Sequence, residues 1–138
     1  DLHSLRRRQR QMCIRDSAKG MARLRLHHAV GRSYLLEEES PIKQMGGGWR
    51  DIIIVPCSTL DEMAEQYKIK PTFLKIDVEG HEPAVIRGGI ETINEYAPDI
   101  IVELHEPNRA AELWCLLSEL DYMPYQRLQG GILWLKRK

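Results

Sequence analysis

The stretch Thr72-Phe-Leu-Lys-Ile-Asp-Val-Glu-Gly-His-Glu82 decides the fold of this chain. Its first six residues have the short apolar character of a buried strand, and the glycine that follows allows a backbone turn that side chains resist. A helix is predicted to begin at the end of the stretch. Lys75, Asp77 and Glu79 are two residues apart, so they share one face while the chain stays extended. We therefore predict a strand-to-helix turn that carries acidic side chains at the carboxyl edge of a sheet.

A second strand with a polar end follows along the chain. Ile100 to Glu103 is almost continuously apolar before its final glutamate, which is typical of parallel strands buried on both faces. Adjacent parallel strands lie about 4.8 Å apart, and ligands of open α/β sheets bind at the carboxyl ends of the strands. The sequence therefore predicts one crevice, whose candidate catalytic residues are Asp77, Glu79, His81, Glu103 and His105.

Upstream of this crevice the sequence predicts three strands and one helix. The strands comprise residues 23–28, 33–36 and 52–55. The third of them should end at Pro56, which lacks a backbone donor. Thr59 and Glu62 have the spacing of a capping box, in which each side chain accepts a hydrogen bond from the backbone of the other residue. A helix is therefore predicted from Leu60 onward.

Downstream, the sequence predicts further helices and a closing hairpin. A helix over residues 82–96 should be interrupted at Gly88-Gly89, which gives two short helices or a kink. Asn108 is a candidate cap for a helix over 109–120. The hairpin pairs residues 122–128 with residues 132–135. Alternating strands and helices predict an α/β fold with a parallel sheet, crossover helices and a terminal antiparallel hairpin.

Composition limits the function classes. The 138 residues suffice for one domain, and equal numbers of acidic and basic residues give a formal net charge of zero. This balance favours neither a nucleic-acid nor a membrane partner, and no apolar run is long enough to span a bilayer. The three cysteines suggest neither a disulfide framework nor a zinc motif, so a cytoplasmic location is the default expectation.

Residues 1–17 differ from the rest of the chain, with five arginines against two aspartates. They show no helical or strand period and resemble translated linker sequence, so we treat them as a non-native or disordered basic segment. The competing interpretation is a basic arm that binds nucleic acid. The segment lacks interleaved aromatic residues and precedes an acidic domain, which disfavours that interpretation.

Several blocks of the body resemble one protein family at matching spacing. They are Val55-Pro-Cys-Ser-Thr-Leu-Asp61, Lys75-Ile-Asp-Val-Glu-Gly-His-Glu82, Val85-Ile-Arg-Gly88 and Pro98-Asp-Ile-Ile-Val-Glu103. With the turn His28-Ala-Val-Gly31 and the terminal hairpin, they resemble the FkbM methyltransferases over residues 18–138. The combined spacing is more specific than any single block.

The resemblance implies a Rossmann-like methyltransferase fold of seven strands, with S-adenosylmethionine as cofactor. It also implies a small-molecule or glycan acceptor, methylated on a hydroxyl of a sugar, glycolipid or natural product. The family's first strand ends in a glycine-rich cofactor turn and its second carries an acid for the ribose, and this sequence contains neither. We therefore expect residues 18–138 to be the C-terminal part of the domain, truncated by two strands. Such a chain alone should bind the cofactor weakly and be inactive, and its strand over 72–77 should have an open, aggregation-prone edge.

Each candidate residue has a functional and a structural interpretation. Asp77 is either a general base near the methyl acceptor or an ion-pair partner of Lys75. Glu79 can share a proton or cap backbone N–H groups, and His81 is either a proton acceptor or an ordinary residue at the start of a helix. Glu103 ends an apolar strand, so its charge needs a partner, which favours a role in the site. For His105 the two interpretations stay open.

Two other functions compete with methyl transfer. A metal-dependent hydrolase can use the same carboxylate and histidine residues as ligands. The sequence has no fixed metal-ligand spacing and no nucleophile motif, so we expect no obligatory metal. A non-catalytic interaction module is the third hypothesis, and the acidic strand ends fit it poorly.

Overall fold

The computed structural model describes residues 13–14, 20–27, 34–36, 49–78, 80–105 and 107–138. The described residues divide into a first unit that ends at Ser58 and a second unit that runs from Thr59 to Lys138. The strands form two separate sheets. The candidate site belongs to the second unit.

The first unit contains a four-stranded sheet. Its strands are β1 (Cys13–Ile14), β2 (Gly20–His27), β3 (Tyr34–Leu36) and β4 (Trp49–Ser58), arranged in the order β1-β4-β2-β3. The predicted return of the chain from β2 to β3 is confirmed, since the two strands pair antiparallel. A small buried cluster of Ala22, Val55 and Cys57 joins β2 to β4.

Two predictions for β4 are wrong. The strand does not end at Pro56 but continues to Ser58, with Pro56 opposite Met21 of β2. Proline removes one donor and fixes φ near −65°, and neither property prevents an extended backbone. The strand also pairs antiparallel with β2, whereas the sequence predicted it in the parallel sheet of the candidate site.

The second unit alternates helices and strands before the terminal hairpin. Its elements are α1 (Leu60–Tyr67), β5 (Phe73–Ile76), α2 (Glu82–Arg87), α3 (Ile90–Tyr96), β6 (Asp99–Glu103), α4 (Ala110–Glu119), β7 (Tyr122–Arg127) and β8 (Ile132–Arg137). The sheet order is β5-β6-β8-β7. β5 and β6 are parallel, whereas β8 runs antiparallel to both of its neighbours. The fold is therefore mixed α/β, and the parallel arrangement in this sheet is confined to one pair of strands.

Most local predictions for the second unit are confirmed. Thr59 and Glu62 form the capping box of α1, with both hydrogen bonds at 3.1 Å. The chain also breaks at Gly88 and Gly89 into two short helices. The predicted cap at Asn108 is wrong, because residues 107–109 form a single 3-10 turn that leads into α4. A capping side chain requires an extended backbone at the first position, and this turn does not provide one.

α1 and α3 are joined by a close contact that involves the Thr-Leu-Asp block. A Cβ atom at Gly89 would lie only 2.5 Å from Cδ2 of Leu60, so the two helices approach as closely as they do because residue 89 has no side chain. The carboxylate of Asp61 accepts hydrogen bonds from the backbone N–H groups of Glu91 and Thr92, at 3.3 and 2.7 Å. These donors belong to the first turn of α3, which has no intrahelical acceptor for them. We call this arrangement the Leu60–Gly89 contact.

The core of the second unit lies between the sheet and its helices. Its members are apolar side chains from every helix except α1 and from every strand: Ile76, Val85, Ile86, Ile93, Ile100, Val102, Leu113, Leu117, Leu120, Tyr122 and Leu135. Arg87 of α2 and Glu112 of α4 form an ion pair across the helix layer. This packing fixes the two strands whose ends carry the candidate residues.

Some predictions fall on residues that the structure does not describe. These are the segment 1–17 apart from Cys13 and Ile14, the turn His28-Ala-Val-Gly31, and Glu79. Among the described residues, no helix is both long and apolar enough to cross a bilayer.

Candidate active site

The parallel pairing of β5 with β6 places two candidate acids side by side. Phe73 is opposite Asp99, and the register continues to Ile76 opposite Val102. One residue further along each strand, Asp77 lies opposite Glu103. Both residues therefore lie at the carboxyl end of the strand pair, where open α/β sheets bind their ligands.

His105 lies between the acids at this edge. Its Nε2 atom is 3.6 Å from Oδ1 of Asp77 and 3.9 Å from Oε1 of Glu103. On the other side of the ring, Nδ1 is 3.0 Å from Oε1 of Glu82. The side chain of His105 is 21% exposed, so the ring can still be reached from solvent. The structure thus brings together Asp77, Glu103 and His105, three of the five residues that the sequence predicted.

Asp77 also makes the ion pair that its structural interpretation required. Nζ of Lys75 donates to Oδ2 of Asp77 at 3.0 Å, since residues two apart share one face of an extended chain. The other carboxylate oxygen, Oδ1, faces His105. One oxygen of Asp77 is therefore neutralised by a lysine, and the other is directed into the site.

Glu82 is the residue of this site that the sequence analysis missed. It is the first residue of α2, and its side chain is only 1% exposed. Its Oε1 atom accepts hydrogen bonds from the backbone N–H of Gly80 and from His105, both at 3.0 Å. A sequence signal was available, because the first turn of a helix favours a carboxylate and this one directly follows the turn after β5.

The two remaining candidates do not join this group. His81 precedes α2, and its Nδ1 atom is buried and makes no hydrogen bond among the described residues. Burying a polar atom without a hydrogen bond costs free energy, so a water molecule or a polar group of a ligand can bind at this nitrogen. Glu79 lies outside the described residues.

The ligand atoms of Asp77, Glu103 and His105 lie within 4.8 Å of one another. Carboxylate oxygens and an imidazole nitrogen at such separations can bind a divalent cation or the hydrogen of a hydroxyl group. The side chains of Asp77 and Glu103 are 39% and 31% exposed, so the group opens to solvent. Such an open arrangement suits a bound ligand better than a structural metal centre, which is closed and has no open coordination position.

A family model for the methyltransferase FkbM domain matches residues 10–124 of the chain. The chain belongs to the FkbM methyltransferase family. The match includes α1, the β5–β6 pair, His105 and α4, and it ends within β7. Searches of curated proteins and of solved structures gave no match. The predicted family is therefore confirmed, and the protein is a methyltransferase in general terms.

The described part of this FkbM methyltransferase does not contain a cradle for a nucleoside cofactor. Among the described residues, the connections that follow β4, β5 and β6 contain a single glycine, Gly80. The N–H group of Gly80 already donates to Glu82, so it is not directed toward a ligand.

Proposed function

We propose that this chain is the C-terminal part of an S-adenosylmethionine-dependent O-methyltransferase domain with a truncated Rossmann-like fold. The acceptor is a hydroxyl group of a sugar, glycolipid or natural product. One observation carries the proposal: Asp77, Glu103 and His105 converge at the carboxyl end of the parallel strand pair in a chain of a methyltransferase family. The sulfonium cofactor, when bound, supplies the methyl group.

The converging side chains suit the proton chemistry of a hydroxyl acceptor. An acceptor hydroxyl can donate a hydrogen bond to Oδ1 of Asp77 or to Nε2 of His105, which lie 3.6 Å apart. Both groups are bases that can take the proton as the oxygen attacks the methyl carbon. Lys75 donates to Oδ2 of Asp77, whereas Oδ1 faces His105 and can accept from the hydroxyl. Correct placement of the hydroxyl also lowers the entropic part of the barrier.

The first experiment is calorimetric titration with S-adenosylhomocysteine. It compares this chain with a longer chain that supplies the first two strands of the family fold. We expect the longer chain to bind and this chain to bind weakly or not at all. Titrations with and without a chelator check the expectation that no metal is obligatory. Failure of both chains to bind would contradict the proposed cofactor.

The second experiment tests the acceptor site in the longer chain. Asp77→Asn and His105→Gln should each lower kcat by about 10²- to 10⁴-fold, the usual contribution of a positioned acid or base. Binding of S-adenosylhomocysteine should persist, because these residues are assigned to the acceptor. Asp121→Asn is the matched control, since Asp121 is exposed and lies far along the chain in a left-handed turn that asparagine tolerates. Unchanged kcat in both site variants would remove the acceptor site from this position.

A further inference from the structure

Glu82 is a buried carboxylate that accepts hydrogen bonds from two donors of the candidate site. Its side chain is 1% exposed, and Oε1 lies 3.0 Å from the N–H of Gly80 and 3.0 Å from Nδ1 of His105. A buried charge is costly unless it is hydrogen-bonded. The chain places this acid at the start of α2, and a histidine that follows β6 provides one of its hydrogen bonds. This arrangement constrains the histidine.

The contact with Glu82 determines where His105 carries its proton. A carboxylate can only accept hydrogen bonds, so Nδ1 of His105 must carry the hydrogen. A neutral imidazole then has its lone pair on Nε2. That atom faces Oδ1 of Asp77 and Oε1 of Glu103, which are also acceptors. Nε2 lies 3.6 Å from the first of these oxygens and 3.9 Å from the second, so the hydroxyl of a methyl acceptor placed among the three atoms can donate its hydrogen to any of them.

We propose that Glu82 is a positioning residue that holds His105 with its proton on Nδ1, so that Nε2 takes the proton of the acceptor hydroxyl. The inference rests on the proposed function. A sulfonium donor, when bound, would supply the methyl carbon to the hydroxyl oxygen and would keep the electron pair of the broken carbon–sulfur bond on sulfur. The O–H hydrogen moves to Nε2 of His105. Glu82 stabilises the resulting imidazolium, which returns the proton to solvent through its exposed face.

Comparable arrangements show the size of effect to expect. In the catalytic triads of serine proteases, a buried carboxylate holds the histidine tautomer, and its replacement by the amide lowers kcat by about 10⁴-fold. Glu82 also accepts from the N–H of Gly80. This second bond fixes Oε1 in place, so the carboxylate position depends on the backbone turn after β5.

The direct test is nitrogen NMR of the histidine rings in this chain at about pH 8.5, where imidazoles are neutral. We expect the His105 proton on Nδ1. Oε1 accepts from both Gly80 and His105, so Glu82→Leu removes the acceptor of Nδ1, and the proton should move to Nε2, which faces the carboxylates of Asp77 and Glu103. His105→Gln assigns the signals, and the His81 ring is the internal control because its Nδ1 makes no hydrogen bond among the described residues. A proton on Nε2 in the unsubstituted chain would overturn the proposal, and this result needs no variant to fold.

The second test separates kcat from KM in the longer, methylating chain. Glu82→Gln should lower kcat by about 10²- to 10⁴-fold and leave the KM of the acceptor within about twofold, as expected for a group that acts in the transition state. Adding His105→Gln to Glu82→Gln should cause little further loss, because the two residues act as one unit. Full additivity of the two losses would overturn the proposal. If no chain binds S-adenosylhomocysteine, the proposed function fails, whereas the tautomer measurement still decides the role of Glu82.

Discussion

Tyr122 begins β7 with its ring buried and its hydroxyl donating to the carbonyl oxygen of Pro98 at 2.6 Å. Burial raises the pKa of Tyr122 above its ordinary value of 10.0, the charge of Asp99 acts in the same direction, and the charge of Arg137 opposes both. The folded protein therefore holds this proton more tightly than the unfolded chain does. Its contribution to stability is complete below about pH 10 and is lost as the pH rises toward the folded-state pKa.

Tyr122→Phe is predicted to change this pH dependence. Near neutral pH the loss of the hydrogen bond should lower the free energy of unfolding by about 1 kcal/mol. Above about pH 10 the difference from the unsubstituted protein should narrow, because only the unsubstituted chain can ionise at this position when it unfolds. Urea denaturation from pH 7 to 10.5 measures both effects. Tyr125→Phe is the control, since Tyr125 is 62% exposed. A constant difference across this range would contradict the assignment.

At the same scale, the sequence predicted that Asp77, Glu103 and His105 lie together, and their catalytic roles stay predictions. Asp77 makes the predicted ion pair with Lys75 through one carboxylate oxygen, and its other oxygen faces His105. That outcome depends on a register between β5 and β6 that no local pattern contains. Glu82 was missed for the same reason. Its partner His105 is 23 residues away along the chain, and only the folded structure shows the two together.

The Leu60–Gly89 contact gives a prediction at the scale of elements. Gly89→Ala places a Cβ atom 2.5 Å from Cδ2 of Leu60, so the Leu60 side chain or one of the two helices must shift. Overpacking of this kind costs about 1–3 kcal/mol. Residue 89 has φ near −129°, so backbone strain does not contribute. Thermal denaturation of Gly89→Ala should show the loss.

The control for this prediction is the double variant Leu60→Ala with Gly89→Ala. If the contact is the cause, the second substitution should cost less in the presence of the first, and the two losses should not add. Additive losses would show that Gly89→Ala lowers stability for a reason other than the contact with Leu60, such as the conformational preference of its own backbone.

Element predictions succeeded where the determinants were local. The capping box of α1 and the break at Gly88-Gly89 follow from residues within one or two turns, and both are confirmed. Asn108 fails as a cap because the chain enters α4 through a 3-10 turn, and the shape of that turn depends on where β6 ends. Pro56 fails as a strand end because the pairing of β4 with β2 extends beyond it.

At the scale of the whole molecule, the sequence predicted the mixed α/β class and the closing hairpin but not the division of the strands. β1 to β4 form one sheet, in which β2 pairs antiparallel with β3 and β4, whereas β5 to β8 form a second sheet. Strand pairing across long connections depends on the complete set of packed faces, so local periodicity does not determine it. β5 is the terminal strand of its sheet, and among the described residues it pairs with β6 alone.

The open edge of β5 predicts that copies of the chain associate with one another. Phe73 on β5 is 49% exposed, and an apolar edge strand favours association between chains. We expect the chain to self-associate and Phe73→Lys to reduce the association. Light scattering after size-exclusion chromatography measures the mass. Ile90→Lys is the control, because Ile90 is also exposed but lies on α3. A monodisperse monomer of the unsubstituted chain would contradict the prediction.

The Leu60–Gly89 contact also restricts the order in which mutations can accumulate over evolution. A β-carbon at position 89 collides with the side chain of Leu60, so loss of the glycine should cost less stability once residue 60 has become smaller. The reverse order passes through a destabilised intermediate that selection tends to remove. Natural descendants of this sequence should therefore show paired replacements at these two positions and few single ones.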